Sequence, residues 1–178
     1  MGKSINQQIV ISGVGGQGVL FITRLLAEAA IMKECQVFTS ETHGMAQRGG
    51  TVLSHLKVGD FSSPLIRPFK ADGLIALKPE NIAQHGSFLK KGAWIIVNSG
   101  KKPDTGFDTY AVDADALSMK IKTPKSANLI LLGFALKGLF CTFEDIRSAL
   151  TGQLKGKKEM LDTSLRALET GYKASGKI

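Results

Sequence analysis

The sequence predicts an α/β protein in which helices cover both faces of a mostly parallel sheet, giving three layers in the order α/β/α. Short apolar segments typical of strands alternate with helical segments through most of the 178 residues, and this alternation favours parallel pairing. A glycine-rich turn at residues 13–18 joins the first strand to the first helix, as in a βαβ unit. Because no linker or repeat interrupts the pattern, we expect residues 1–178 to form a single domain.

The predicted strands are short runs of β-branched and other apolar residues, some of which alternate with polar positions. They span residues 8–12, 35–40, 51–58, 73–77, 93–97 and 109–112. The connection between the second and third strands, residues 41–50, is predicted as a loop. It contains no crossover helix, which leaves an antiparallel pairing open at this place.

The predicted helices follow helical periodicity and recognisable start signals. They span residues 19–30, 79–88, 113–121, 126–139, a segment opened by Thr142, and 155–173. Pro79 suits a helix start, and Thr142 suits an N-cap because acidic residues follow it. Gly92 is predicted to end the loop before the fifth strand. The segment 126–139 is apolar nearly all round, so we expect it to be buried in the core or at a subunit contact.

The turn Gly13-Val14-Gly15-Gly16-Gln17-Gly18 matches the pattern G-x-G-x-x-G of Rossmann-like folds. Glycine tolerates a positive φ, and bare N–H groups at the start of a helix can hold an anion. Glu41 follows at about the distance of a ribose-binding acid. A stand-alone NAD(P)- or flavin-binding oxidoreductase is therefore one hypothesis, and a tight turn that binds nothing, in a pure interaction module, is another.

Composition and charge indicate which classes of molecule the chain binds. The net charge is +8, but the lysines are scattered in pairs without an arginine-rich stripe or interleaved aromatic residues, so we expect no nucleic-acid binding. An anionic small molecule or an acidic partner protein suits the charge better. The start of the chain lacks an apolar signal core and the longest apolar run is too short to span a bilayer, so we expect a cytoplasmic protein with no membrane contact.

The cysteines and the strand histidine favour structural roles. Cys35 and Cys141 lie far apart in apolar surroundings, which favours two buried, reduced thiols over a disulfide or a reactive site. No C-x-x-C motif is present, so we expect neither an iron–sulfur cluster nor a zinc ribbon in this chain. His55 has no acid, cysteine or second histidine near it in sequence and is expected to be structural.

The connection 41–50 carries the densest set of polar groups, with the sequence E-T-H-G-M-A-Q-R-G-G. It leaves the carboxyl end of a strand, where open α/β sheets bind ligands, and should face the glycine turn if the two strands are neighbours. Arg48 is its best anion ligand, because the guanidinium can hold a carboxylate or phosphate with two hydrogen bonds. An equally weighted alternative is that Glu41 and Arg48 pair with each other to shape the loop.

Taken together, Gly13–Leu20, Glu41–Gly50, Ser54-His55 and Ser63–Ile66 resemble the gamma-type domain of 2-oxoacid:ferredoxin oxidoreductases along essentially the whole chain. The E-T-H-G-M-A-Q-R-G-G form is most similar to the indolepyruvate-type members. The resemblance implies a small subunit of a complex that oxidatively decarboxylates an aryl pyruvate, with coenzyme A as acyl acceptor and ferredoxin as electron acceptor.

The resemblance also implies which subunit holds the cofactors. It assigns thiamine diphosphate, Mg²⁺ and the iron–sulfur clusters to a larger alpha subunit, which would also pass electrons to ferredoxin. It implies that this chain has no cofactor or self-sufficient catalytic set and is inactive alone. The candidate residues for contact with the 2-oxoacid, coenzyme A or the partner are Gly15, Gly16, Gln17, Glu41, His43, Gln47, Arg48, Gly49 and Gly50.

Overall fold

The structure, a computed structural model, describes residues 5–44 and 50–175. The strands in these ranges are β1 (Gln7–Val14), β2 (Val37–His43), β3 (Thr51–Val58), β4 (Ala71–Ala76), β5 (Leu89–Asn98) and β6 (Asp108–Val112). The helices are α1 (Val19–Met32), α2 (Glu80–His85), α3 (Ala114–Lys120), α4 (Ala127–Ala135), α5 (Phe143–Gln153) and α6 (Lys158–Ala174). Short 3₁₀ turns at Gly86–Phe88, Pro124–Ser126 and Leu136–Gly138 adjoin the helices.

All the strands belong to one sheet with the order β2-β3-β1-β4-β5-β6. The pairs β1–β4, β4–β5 and β5–β6 are parallel, which confirms the mostly parallel α/β fold. Strand β3 lies between β1 and β2 and runs antiparallel to both. The antiparallel pairing left open by the sequence is therefore present, and a second one accompanies it. The connection from β2 to β3 is too short to carry a crossover, so β3 must reverse direction.

Several element boundaries differ from those predicted, and three of the differences have a clear physical reason. Residues Glu41–His43 belong to β2 rather than to a loop, because they pair with Val52–Ser54 of β3. Gly92 lies inside β5, beside a shift of register between β4 and β5, and has a φ of +76°. The last helix begins at Lys158 rather than at residue 155, because Gly156 has a φ of +82° that no α-helix accommodates.

The two faces of the sheet are covered unequally. Helices α1, α3, α4, α5 and α6 form a thick layer on the first face, over alternate residues such as Ile9 and Ile11. The second face buries Val10 and Ile95, among others, beneath α2 and an irregular segment, residues 59–70. The expected three layers are present, but one helix and a loop make up the third.

Helix α4 is the centre of the thick layer. Residues from Leu129 to Ala135 are all buried, which confirms the prediction for the apolar segment. Helix α6 crosses α4 so closely that a Cβ on Gly171 would lie 1.8 Å from the Ile130 carbonyl oxygen. Helix α5 begins at a capping box in which Thr142 and Asp145 bond each other's backbone N–H groups, as the N-cap prediction required.

Candidate functional site

The glycine turn between β1 and α1 is held by its own atoms. The Gln17 side-chain oxygen accepts a hydrogen bond from the Val14 N–H at 2.8 Å, and the Gln17 N–H donates to the Val14 carbonyl at 3.0 Å. Gly16 and Gly18 have φ values of +92° and +82°, a region that residues with a Cβ enter only at a cost. The predicted need for glycine is therefore met at these two positions, while Gln17 braces the turn.

The glycine turn and the second loop meet, although their strands are not neighbours. The Gly15 N–H donates to the Gly50 carbonyl oxygen at 3.0 Å. Glu41 is exposed near the end of β2, and His43 is the last residue of that strand. Gln47, Arg48 and Gly49 lie outside the described residues, so the pairing of Glu41 with Arg48 stays a prediction.

The geometry around the turn places it where open α/β sheets bind ligands. Strands β1 and β4 are adjacent and parallel, but the chain leaves β1 through α1 on the first face and leaves β4 through α2 on the second. Such a switch point opens a crevice at the carboxyl ends of the strands. A cavity of about 510 Å³ lies at this edge. Its polar lining comes from Gly16, Gln17, Asn98, Asp115, Lys125 and Asn128.

Asn98, the last residue of β5, organises the floor of this cavity. Its side-chain oxygen accepts a hydrogen bond from the Ala114 N–H at 2.8 Å, and its amide nitrogen donates to an Asp115 carboxylate oxygen at 2.9 Å. The start of α3 is thereby tied to the end of β5. Asp115 faces the cavity as an acceptor, while Lys125 supplies a cation.

The third glycine of the motif is explained by helix packing. A Cβ on Gly18 would lie 2.2 Å from the side-chain amide nitrogen of Asn128, at the start of α4. The Asn128 side chain therefore covers the start of α1, the position at which a dinucleotide-binding fold receives a pyrophosphate. Since the Gly15 N–H is also engaged, this turn differs from an open phosphate cradle.

The residues that sequence reasoning missed are Arg24, Asn98, Asp115, Lys125 and Asn128. Arg24 lines a second recess, of about 440 Å³, together with the glycine turn and Phe21. Asn98 could have been found from the sequence, because it directly follows a predicted buried strand. It therefore had to lie at the edge formed by the carboxyl ends of the parallel strands, which we call the ligand edge. Asp115, Lys125 and Asn128 lie at or next to helix starts, and Arg24 lies in the second turn of α1. None of these positions carries a comparable sequence signal.

His55 and His85 lie together on the second face of the sheet. The His55 Nδ1 accepts a hydrogen bond from the Ile66 N–H at 3.2 Å, and its ring packs edge-on against Phe88. The His85 Nδ1 lies 2.8 Å from the Ser12 hydroxyl oxygen. Burial lowers the pKa of both histidines. His55 is thus buried with a satisfied acceptor, which confirms its structural role.

Three further features concern the thiols, metals and membranes. Cys35 and Cys141 are both free thiols, as predicted, but only Cys141 is buried, and the prediction that Cys35 is buried is wrong because it is half-buried. In residues 5–44 and 50–175, no group of three or more His, Cys, Asp or Glu side chains is placed to hold a metal ion. None of the helices in the described part of the chain is both long and apolar enough to cross a bilayer.

Comparison with known proteins identifies the family of this chain. The sequence model of the family described as pyruvate ferredoxin/flavodoxin oxidoreductase matches residues 8–174, nearly the whole chain. The chain belongs to this family. It is also 32% identical to the indolepyruvate oxidoreductase subunit IorB of Archaeoglobus fulgidus, over 92% of each chain.

Solved structures agree with the family. The gamma subunit of a keto/oxoacid ferredoxin oxidoreductase from Geobacter sulfurreducens is 26% identical over 95% of this chain and 98% of its own, with a TM-score of 0.78. The 2-oxoglutarate:ferredoxin oxidoreductase of Magnetococcus marinus matches with a TM-score of 0.84 and 21% identity, over 99% of this chain and 32% of its own. That second likeness shows the fold alone.

Family membership decides between the functional hypotheses. The chain is a small subunit of a 2-oxoacid:ferredoxin oxidoreductase, a multi-subunit enzyme, as the sequence predicted. The alternative, a stand-alone nicotinamide or flavin enzyme, gains no support. The Asn128 side chain above Gly18 gives a physical reason why a G-x-G-x-x-G turn is retained here without that role.

Proposed function

We propose that this chain is the small subunit of an indolepyruvate-type oxidoreductase, in which an aryl pyruvate loses carbon dioxide, its acyl group passes to coenzyme A and its electrons pass to ferredoxin. The observation that carries the proposal is the 32% identity to IorB over 92% of both chains. A larger subunit would hold the thiamine diphosphate, Mg²⁺ and iron–sulfur clusters. Residues 1–178 act as one domain of this cytoplasmic complex.

The proposed contribution of this chain is its ligand edge. The glycine turn, the second loop and the cavity of about 510 Å³ would shape the mouth through which the 2-oxoacid and coenzyme A reach the partner's active site. The bond from Gly15 to Gly50 supports this, because it brings the glycine turn and the end of the second loop to one edge. Gln47, Arg48 and Gly49 of the second loop, which lie outside the described residues, are proposed as further contacts from their side-chain and backbone chemistry.

Reconstitution with the larger subunit tests the proposal. The two chains should copurify, and the complex should reduce ferredoxin or a viologen dye only when coenzyme A and a 2-oxoacid are both present. Indolepyruvate and phenylpyruvate should give a kcat/KM at least roughly 10-fold above that of pyruvate, 2-oxoglutarate or 2-oxoisovalerate, because pocket shape discriminates side chains on this scale.

The larger subunit alone serves as the control. It should lack most of the activity until this chain is added. Equal kcat/KM values for pyruvate and indolepyruvate would refute the aryl specificity while keeping the enzyme class. Failure of the two chains to associate would refute the proposal as a whole.

A further inference from the structure

The segment between β3 and β4 forms a strap over the second face of the sheet, and we call residues 61–69 the strap. Its only buried residue is Ile66, which is 2% exposed and packs into the core of that face. The strap includes Ser63-Pro64-Leu65-Ile66, a stretch that the ligand edge leaves unexplained. It lies away from that edge, because β3 ends opposite the start of β1.

The backbone of the strap and its C-terminal flank is held firmly. The Ile66 N–H donates to the buried His55 ring, and the Phe69 N–H donates to the Ser87 carbonyl oxygen at 3.0 Å. Phe69 has a φ of +61°, a left-handed conformation that is unfavourable for a bulky residue. Such strain persists only where the surroundings enforce it, and here it fixes the direction of an aromatic side chain.

The strap presents apolar side chains to solvent. Phe69 is 69% exposed and Leu65 is 54% exposed. Phe69 is the most exposed of the large apolar residues in the described ranges. A rigid backbone that holds an aromatic ring in water, at a conformational cost, is typical of a binding surface rather than of a plain connection.

Two cationic residues, Lys57 and Arg67, lie in or beside the strap. The Lys57 side chain, 7% exposed overall, places its ammonium 5.1 Å from the centre of the Phe61 ring. Burial and the nearby Arg67 guanidinium lower the pKa of Lys57. The Asp72 carboxylate accepts a hydrogen bond from the N–H of Gln8, which lies opposite Lys57 in the sheet, and is already paired with Lys90. Among residues 5–44 and 50–175, neither Lys57 nor Arg67 forms a salt bridge.

We propose that the strap is a docking surface for the larger subunit, and that it receives an apolar side chain of that subunit set beside a carboxylate. The proposal rests on the proposed function for the existence of that partner. Leu65 and Phe69 supply the apolar contact, and the exposed Arg67 guanidinium supplies the charge complement. The chain therefore meets its partner at two places, the ligand edge and the strap.

The chemistry of this surface matches that of interface hot spots. Aromatic and arginine side chains contribute most to binding, since each gives a large contact area or a bidentate ion pair. The hydrogen bonds of Ile66 and Phe69 order the strap before binding, so little conformational entropy is lost on association. The net charge of +8 would steer an acidic partner surface toward it.

The test measures the Kd between this chain and the purified larger subunit by biolayer interferometry. Phe69→Gly removes the ring and suits the left-handed backbone, so the Tm of the isolated chain should hold or rise while the Kd rises roughly 10- to 100-fold. Arg67→Glu should raise the Kd by a factor that shrinks as salt is added. Met119→Ala, at a residue 66% exposed on α3 over the other face, is the matched control and should bind like wild type.

The outcomes separate the two proposals. If wild type binds and turns over a 2-oxoacid but both strap variants bind equally well, the docking surface is refuted and the proposed function stands. If wild type itself does not bind, both are refuted. Hydrogen exchange gives a second readout, because residues 61–69 should become protected in the wild-type complex, and their unchanged exchange would overturn the docking surface.

Discussion

At the scale of single residues, the glycine turn shows how one motif can serve different purposes. Gly16 is needed for its backbone angle alone, because nothing lies within 4 Å of the position that a Cβ would take there. Gly18 is needed for its angle and for the Asn128 side chain that covers it. A motif typical of phosphate binding is thus preserved by the packing of α4 against the start of α1.

His55, which is buried, and His85, which is half-buried, predict an acid-sensitive stability. Because the pKa values of His55 and His85 in the folded protein are lowered from the ordinary 6.5, the unfolded chain binds protons first. The free energy of unfolding should be constant above about pH 6.5 and should fall as the pH drops below it. Protonation also removes the acceptor that holds the Ile66 N–H. Urea unfolding between about pH 7.5 and about pH 4.5, a range that spans this titration, checks the prediction.

The control for the histidine prediction is the double variant His55→Gln/His85→Gln, whose unfolding free energy should change little over that range. The pKa of the Asp145 carboxyl is lowered from its ordinary value of 3.8. The stability that Asp145 contributes is therefore lost only below that pH, outside the range of the urea measurements. A pH dependence as steep in the double variant as in wild type would contradict the assignment.

A second prediction at the scale of single residues concerns Arg48. If it faces the partner's active site, Arg48→Ala in the reconstituted complex should lower kcat/KM for the 2-oxoacid or coenzyme A by roughly 10- to 100-fold, the effect of one or two lost charge-assisted hydrogen bonds. Assembly should be nearly unchanged.

The alternative role of Arg48 gives a different pattern. If Arg48 only braces Glu41, the variants Arg48→Ala and Glu41→Ala should lower the Tm equally, and the double variant should lower it little further. A variant complex with wild-type kinetics and wild-type Tm would contradict both roles.

At the scale of elements, the contact between α4 and α6 depends on two glycines. A Cβ on Gly133 would lie 2.1 Å from the Leu168 carbonyl oxygen, and one on Gly171 would lie 1.8 Å from that of Ile130. These helices therefore touch backbone to backbone. Neither carbonyl can yield without moving its whole helix, so the crossing tolerates no added carbon.

Gly171→Ala should accordingly lower the free energy of unfolding by about 1–3 kcal/mol, the usual cost of overpacking. Gly152→Ala, in α5, is the matched control. No atom lies within 4 Å of its added carbon, and alanine is the better helix former, so stability should rise by up to about 1 kcal/mol. Unfolding of the isolated chain can be followed by the fluorescence of Trp94, its single tryptophan. Equal effects of the two substitutions would contradict the backbone contact.

At the scale of the whole molecule, the two faces of the sheet are covered unequally. A thick helical layer covers the first face, and the strap is part of the thinner cover of the second; the contacts proposed with other molecules lie at the ligand edge and at the strap. The Asn128 side chain and the bond from Gly15 to Gly50 occupy the dinucleotide position.

The isolated chain should therefore bind NAD, NADP or FAD with a Kd no lower than about 1 mM, the range of weak, non-specific association, and should not turn over a 2-oxoacid. Calorimetry measures the first and a viologen assay the second. Tight stoichiometric NAD binding that Glu41→Ala weakens would revive the nicotinamide hypothesis.

The sequence alone determined the element types, the glycine turn, the buried helix α4 and the N-cap at Thr142, because each depends on periodicity or side-chain chemistry within a few residues. It also indicated the family, through the resemblance of its motifs to those of known members. Only the tertiary structure decided that β3 separates β1 from β2, that Glu41 lies within a strand, and that Asn98 and Asn128 join Gly16 around one cavity. Those relations arise from pairing between residues far apart in the chain. No local sequence pattern determines which distant segment a strand pairs with, since the pairing depends on how the whole core is packed.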